Sequence, residues 1–156
     1  MTSRNRHNRK YTKDYTAFAR VIALTEPFNE HELRELLLPI RESFEALRTG
    51  RATERDVSDL SSVINTTVMR TADIHPTALE AANTASRALI RVVERYQRTH
   101  RWGLDGPGIA ELEVGIDLHE QLCRLSTPRQ MREAALKAQQ MRIEHESRAK
   151  SAEAVA

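Results

Sequence analysis

Apolar residues recur along most of this chain at the three- and four-residue spacing that is typical of amphipathic α-helices. Short polar stretches, several of them with Pro or Gly, separate these periodic segments. The pattern predicts six helices, over about 14–25, 30–49, 54–72, 76–98, 107–125 and 128–143. We therefore expect an all-α fold, an irregular bundle of about six helices joined by short connections.

Three of the predicted helices begin with a capping-box pattern, in which the residue before the helix and the residue three positions later bind each other's backbone N–H groups. The pairs are Asn29 with Glu32, Thr53 with Asp56, and Thr127 with Gln130. Pro39 lies inside the helix at 30–49, where it removes one backbone hydrogen bond and is expected to kink the helix.

The segment 112–118 is ambiguous, because it alternates apolar and polar residues as a strand would. A wider window favours a helix, since the apolar residues sort into two helical stripes and a lone strand would have nothing to pair with. The stripes are Ile109, Leu112, Ile116 and Cys123, and Val114, Leu118, Leu122 and Leu125. We expect this helix to be buried on two sides and to lie at the centre of the bundle.

The chain has 156 residues and a mass of 17.8 kDa, the size of one ordinary domain, which we place at 14–145. Its 24 basic and 22 acidic residues nearly cancel, but five of the bases lie within residues 1–13, which contain no acid. We expect 1–13 to form a disordered basic arm and 146–156 to form a frayed polar tail. Arg4, Arg6, Arg9 and Lys10 of the arm are candidate nucleic-acid contacts, although such arms also occur as solubilising tails.

Several classes of protein are disfavoured by the composition. No apolar stretch reaches the ~20 residues of a membrane span, and no secretory signal is recognisable, so we expect a cytoplasmic protein. The single cysteine, Cys123, excludes an intramolecular disulfide and is interpreted as a small buried hydrophobe. His119 lies near Glu113, Asp117 and Glu120 and is interpreted as a surface or packing histidine. No metal-binding, cofactor or catalytic motif is found, so the sequence predicts a non-enzymatic protein without cofactors.

The strongest candidate for function is a row of four arginines on the helix predicted at 76–98. Arg87, Arg91, Arg95 and Arg98 stand about one helical turn apart on one face, opposite the apolar residues. A guanidinium group offers two parallel N–H donors that match a phosphate, so this arginine row could follow a nucleic-acid backbone.

Two other roles for the arginine row are left open by the sequence. The next helix carries an acidic stripe of similar length, Glu113, Asp117 and Glu120, and two antiparallel helices with such stripes could form an ion-pair ladder. The row could instead bind an acidic protein partner. Glu94, which lies among the arginines, can neutralise part of the row in any of these arrangements.

Two further features bear on binding. The loop at 99–108 contains Arg101 and Trp102, which form either a partner-binding hot spot or, for Trp102, a packed plug that closes one end of the bundle. A helix-turn-helix at the turn 48–51 is disfavoured, because the helix that follows begins with Glu54, Asp56 and Asp59, which phosphates would repel.

Five short motifs, spread over roughly residues 11–135, carry a resemblance to a known group of proteins. They are YTKDY at 11–15, PF at 27–28, FEALRTG at 44–50, RWGLDGP at 101–107 and LSTPRQM at 125–131. In these motifs the chain resembles small helical proteins of proteobacterial prophages and mobile elements that are often labelled Fis family transcriptional regulators. The resemblance implies a phage or mobile-element origin and assigns no functional residue.

The sequence therefore predicts a non-enzymatic accessory protein of a phage or mobile element, a nucleic-acid-associated regulator that binds DNA or RNA through the basic arm and the arginine row. The alternative is a protein-interaction module that modulates a host or phage protein complex, with the arginines used in ion pairs. The Ala-rich helix at 76–98 is compatible with self-association, but no feature indicates a number of subunits.

Overall fold

A computed structural model describes residues 25–153 of the chain. Within this range there are five helices and no strand, which confirms the all-α prediction. The helices are α1 (Glu30–Arg48), α2 (Glu54–Thr71), α3 (Pro76–Thr99), α4 (Gly106–Leu125) and α5 (Pro128–Glu153). The ambiguous segment 112–118 is helical, within α4. The predicted basic arm, and all but the last residue of the helix predicted at 14–25, lie outside the described residues.

The helix starts follow the predicted capping boxes. The Asn29 side chain accepts the backbone N–H of Glu32 at 2.9 Å, and the Glu32 carboxylate accepts the backbone N–H of Asn29 at 2.9 Å. The same reciprocal bonds join Thr53 with Asp56 and Thr127 with Gln130. Each box satisfies backbone donors that the first turn of a helix leaves unpaired, so these sequence signals position α1, α2 and α5.

The turn between α1 and α2 leads into the central helix of the bundle. α1 runs unbroken through Pro39, and Gly50 in the turn adopts a φ of +72°, a conformation that favours glycine. α2 then packs against all four other helices. The expectation that the helix at 107–125 would be central is therefore wrong. The exposed residues in the first turns of α2 include Glu54 and Asp59, whose negative charges would be repelled by phosphates, so this helix stays disfavoured as the second helix of a helix-turn-helix.

α4 buries its first predicted apolar stripe more fully than its second. Leu112, Ile116 and Cys123 of the first stripe are inaccessible to solvent or nearly so. In the second stripe Leu122 is buried and Leu118 is half-buried against the core, whereas Val114 is 53% exposed and Leu125 is 81% exposed. The neighbours of α4 in the described part of the chain, which are α1, α2 and α3, therefore cover the middle of the second stripe and leave its two ends in solvent.

One aliphatic core joins the helices. Among the buried members of the core in residues 25–153, Phe44 is the only aromatic residue, which agrees with the low aromatic content of the chain. The buried members of the core are Leu33, Leu37, Ile40, Phe44, Leu47, Val57, Leu60, Ile64, Ala85, Leu89, Val92, Leu112, Ile116, Leu122, Cys123 and Met131. The burial of these side chains supplies the main favourable free energy of folding.

α5 packs on α2 through its first turns and then continues into solvent. Met131 and Ala134 are its buried residues, and every residue from Gln139 to Glu153 is exposed. The helix is continuous through 146–153, within the segment that was expected to fray. None of the described helices is both long enough and apolar enough to cross a membrane.

Candidate functional site

The four arginines of the predicted row lie on one side of α3 but do not share one environment. Arg87 is bound within its own helix, where its Nη2 donates to Glu80 Oε1 at 2.9 Å and to Thr84 Oγ1 at 2.8 Å. The side chains of Arg87 and Glu80 are 55% and 68% exposed, so this ion pair contributes little stability. It does, however, give the Arg87 guanidinium a carboxylate partner.

Arg91 joins α3 to the start of α4. Its Nε donates to Asp105 Oδ2 at 3.0 Å, and its Nη2 donates to the carboxylate of Glu111. Asp105 is also the N-cap of α4, because its Oδ1 accepts the backbone N–H of Gly108 at 2.6 Å. Both bonds lower the pKa of Asp105, and the bond from Arg91 has the larger effect. Arg91 is therefore committed to two carboxylates and helps to position the loop before α4.

Arg95 and Arg98 line a cleft of about 380 Å³ between the C-terminal half of α3 and the loop that follows it. Arg95 Nη1 makes one long hydrogen bond, 3.4 Å, to the carbonyl oxygen of Leu104. Arg98 has no ion pair or side-chain hydrogen bond with any residue in the described range. We call this cleft the arginine cleft; its lining is Ala88, Arg91, Val92, Glu94, Arg95, Arg98, Thr99, Gly103 and Asp105.

Two carboxylates lie in the arginine cleft beside the guanidinium groups. Asp105 is engaged by Arg91, and the nearby charge of Arg95 also contributes to the lowered pKa of Asp105. Glu94 is exposed and, within residues 25–153, forms no ion pair with Arg91 or Arg98, although the sequence spacing allowed both. The cleft therefore presents two exposed guanidinium groups, those of Arg95 and Arg98, that no carboxylate binds directly in the described structure.

The predicted ion-pair ladder between the arginine row and the acidic stripe of α4 is wrong. Asp117 and Glu120 pair instead with Arg41 of α1, at 3.1 Å and 2.7 Å. Glu120 also binds Arg124, and the bonds from Arg41 and Arg124 lower the pKa of Glu120. Glu113 forms no ion pair with the arginine row and lies in the field of Arg48 of α1. The acidic stripe therefore faces α1, since α4 is rotated so that these three acids point away from α3, whereas Glu111 of the same helix binds Arg91 of α3.

Trp102 packs as the plug that the sequence allowed. Its ring stacks on Tyr96, with centroids 3.8 Å apart and planes 6° from parallel, and it packs against the core. His100, at the end of α3, adopts a left-handed φ of 54° and redirects the chain into this loop. Arg101 is exposed beside it, with no ion pair among the described residues. Trp102 thus fixes the loop that forms one wall of the arginine cleft.

The remaining candidate groups are buried and structural. His119 is 4% exposed, and burial lowers its pKa to about 4. Its Nδ1 lies 2.9 Å from Thr67 Oγ1, which in turn lies 2.9 Å from the Val63 carbonyl oxygen; the tautomer with a proton on Nδ1 satisfies both contacts, because the carbonyl can only accept. His119 is thus a packing histidine and not a surface one. Burial also raises the pKa of Cys123 to about 11, as expected for an unreactive thiol. Among the described residues no cluster of His, Cys, Asp or Glu is arranged to hold a metal ion.

Comparison with known proteins gives no match to this chain: no family model, no curated protein and no solved structure is similar to it. The resemblance to prophage proteins therefore stays a prediction. Any function of the arginine cleft has to be argued from its own geometry.

Proposed function

We propose that this protein binds nucleic acid, with Arg95 and Arg98 in the arginine cleft as the contacts to backbone phosphates. The observation that carries the proposal is that both guanidinium groups are exposed, line one cleft and have no direct carboxylate partner in the described part of the chain. Arg101 lies three residues after Arg98 and is also exposed, so it is a further candidate contact. The regulatory role expected from the sequence would follow from this binding.

The chemistry of the cleft suits a phosphate diester. A guanidinium group donates two parallel hydrogen bonds to phosphate oxygens and keeps its charge at any physiological pH. Arg95 and Arg98 are three residues apart, so their side chains leave α3 as neighbours about one turn apart. Two neighbouring guanidinium groups can then contact one phosphate or two successive phosphates of a strand.

In this proposal only two of the four arginines of the row, Arg95 and Arg98, contact phosphate. Arg87 binds Glu80 through its Nη2 alone, whereas Arg91 binds both Asp105 and Glu111 and helps to position the loop before α4. The basic arm, with Arg4, Arg6, Arg9 and Lys10, adds phosphate contacts that carry no sequence information.

A binding titration with matched charge variants tests the proposal. The double variant Arg95→Glu/Arg98→Glu is compared with Arg132→Glu/Arg148→Glu on α5, where both arginines are exposed and form no ion pair with a described residue. Both variants lower the net charge by the same amount, so long-range attraction changes equally. We expect the cleft variant to bind a labelled DNA or RNA duplex about tenfold or more weakly than the control. Equal affinities of the two variants would contradict the proposal.

A second function, the protein-interaction module, is favoured by one observation: half of the arginine row is already used in ion pairs, as that function requires. Affinity capture from cells, followed by nuclease treatment, separates the two functions. Nucleic-acid binding predicts that the captured material is released by nuclease and by moderate salt. A protein partner that stays bound after both treatments would favour the interaction module.

A further inference from the structure

An uncharged groove lies between α2 and α3, on the opposite flank of α3 from the arginine cleft. It has a volume of about 140 Å³ and is lined by Ser61, Asn65, Ser86, Leu89, Ile90 and Val93. None of these residues is charged, in a chain of which 29% is charged. Ile90 is 55% exposed and Val93 is 39% exposed, so two branched apolar side chains face solvent at its rim. A scarcity of charged residues around exposed apolar side chains is typical of the centre of a protein interface.

The face of α3 beside this groove, on which Ile90, Val93 and Gln97 are exposed, has the spacing of a coiled-coil seam. Asn83, Ser86, Ile90, Val93 and Gln97 follow one another at alternating steps of three and four residues. This spacing keeps side chains on the side of a helix that faces a second helix. The buried face of α3 is a different one, formed by Ala85, Leu89 and Val92 among others. α3 therefore has two helix-packing faces, one used inside the bundle and one left uncovered by the described residues.

One basic and one acidic residue beside the seam would meet their opposite charges if a second copy of the chain were related by a twofold axis. Arg87 and Glu94 lie on the flank of the seam away from α2, at equal distances in sequence from the midpoint between Ile90 and Arg91. A twofold axis through this midpoint runs two copies of α3 antiparallel and brings Arg87 of each copy to Glu94 of the other. Glu94 has no ion pair within the described residues, and this arrangement gives it one.

We propose that a second copy of this chain docks on the seam, with the two α3 helices antiparallel and Ile90 of both copies next to the twofold axis. The apolar pair Ile90 and Val93 supplies the buried centre of the interface. Ser86, Asn83 and Gln97 surround this centre with groups that can form hydrogen bonds. The crossed pairs of Arg87 and Glu94 favour the antiparallel orientation, because a parallel pairing would not bring these opposite charges together.

The second copy is favoured over an unrelated partner by this self-complementarity. An interface with a twofold axis uses the same patch on both copies. Each charge in the patch must therefore lie where the rotation brings it next to its partner on the other copy. The seam satisfies this condition with one basic and one acidic residue.

Light scattering after size exclusion measures the assembly directly. We expect the full chain to be a dimer at about 100 µM and to dissociate on dilution. Ile90→Glu should shift the chain to monomer and keep its helical circular dichroism, since the side chain is already half exposed. The matched control is Leu136→Glu on α5, which is 56% exposed and should stay dimeric. A wild-type chain that stays monomeric at this concentration would overturn the proposal, as would an Ile90→Glu dimer.

A charge exchange tests the orientation. Arg87→Glu places two acids at each crossed pair and Glu94→Arg places two bases there, so each variant alone should form its dimer about tenfold more weakly than wild type. An equal mixture of the two variants restores opposite charges at both crossed pairs and should form a mixed dimer of near wild-type strength. A mixture that dimerises no better than either variant alone would exclude the antiparallel seam.

Discussion

Arg91 and Asp105 form an ion pair in which the Arg91 Nε lies 3.0 Å from Asp105 Oδ2, and the same carboxylate caps α4 through the backbone N–H of Gly108. Asp105 is thus both a structural cap and a negative charge at the edge of the arginine cleft. The ion pair reduces the positive charge that the cleft offers to a ligand.

Asp105→Asn removes the negative charge and keeps a side chain that caps helices well. Arg91 then loses one of its two carboxylate partners, and we expect affinity for DNA or RNA to rise about threefold with stability changed by less than about 1 kcal/mol. Fluorescence anisotropy and a thermal melt measure the two quantities. Asp73→Asn, which makes the same charge change outside the cleft, is the control and should leave affinity nearly unchanged. Equal gains in both variants would show that only net charge matters.

Removal of residues 1–10 deletes four bases, Arg4, Arg6, Arg9 and Lys10, and no acid. If these bases contact phosphates, the slope of log affinity against log salt should become shallower by about 0.9 for each lost contact. The titration is run at several salt concentrations with the same duplex. An unchanged slope would show that the arm takes no part in binding.

His119 makes the stability of the protein depend on pH. Burial lowers its folded-state pKa from 6.5 to about 4, so the unfolded state binds the proton more tightly. As far as this group is concerned, the free energy of unfolding is therefore at its highest above about pH 6.5. It falls by up to about 3 kcal/mol as the pH falls towards 4. Urea unfolding at a series of pH values measures this loss. His119→Gln should flatten the dependence in this window, and an unchanged dependence in the variant would contradict the assignment.

Gly115 of α4 allows close contact with α3. A Cβ at this position would overlap Ala85 Cβ and lie 3.0 Å from Ile64 Cδ1. We expect Gly115→Ala to lower the free energy of unfolding by about 1–3 kcal/mol, despite the better helix propensity of Ala. Gly106→Ala is the control, because no heavy atom lies within 4 Å of a Cβ there. Chemical denaturation of both variants decides the point, and equal stabilities would show that the helices can move apart.

The helix starts could be predicted because each depends on residues that are neighbours in sequence. Asn29 and Glu32 are three residues apart, and their reciprocal bonds require only that the first turn of α1 is helical. The N-cap of α4 follows the same rule, and Asp105 before Gly-Pro-Gly was an available signal that sequence reasoning did not use. Asp105 consequently did not enter the predicted site, although it binds Arg91.

The partners of the arginine row could not be predicted, because they depend on the rotation of each helix about its axis. Periodicity shows that Asp117 and Glu120 share a face of α4, but not that this face meets Arg41 of α1. It likewise shows that Val114 and Leu125 fall on an apolar stripe with Leu122, but not that these two are exposed while Leu122 is buried. Such facts are set by the packing of the whole bundle.

The NMR signals of the arginine Nε–Hε groups report the binding of phosphate at individual side chains. In a titration with a short DNA duplex, we predict that the signals of Arg95 and Arg98 shift together and saturate at the same concentration, while those of Arg41 and Arg91, already held by carboxylates, shift little. Binding of the duplex without shifts at Arg95 and Arg98 would contradict the assignment of the arginine cleft as the nucleic-acid site.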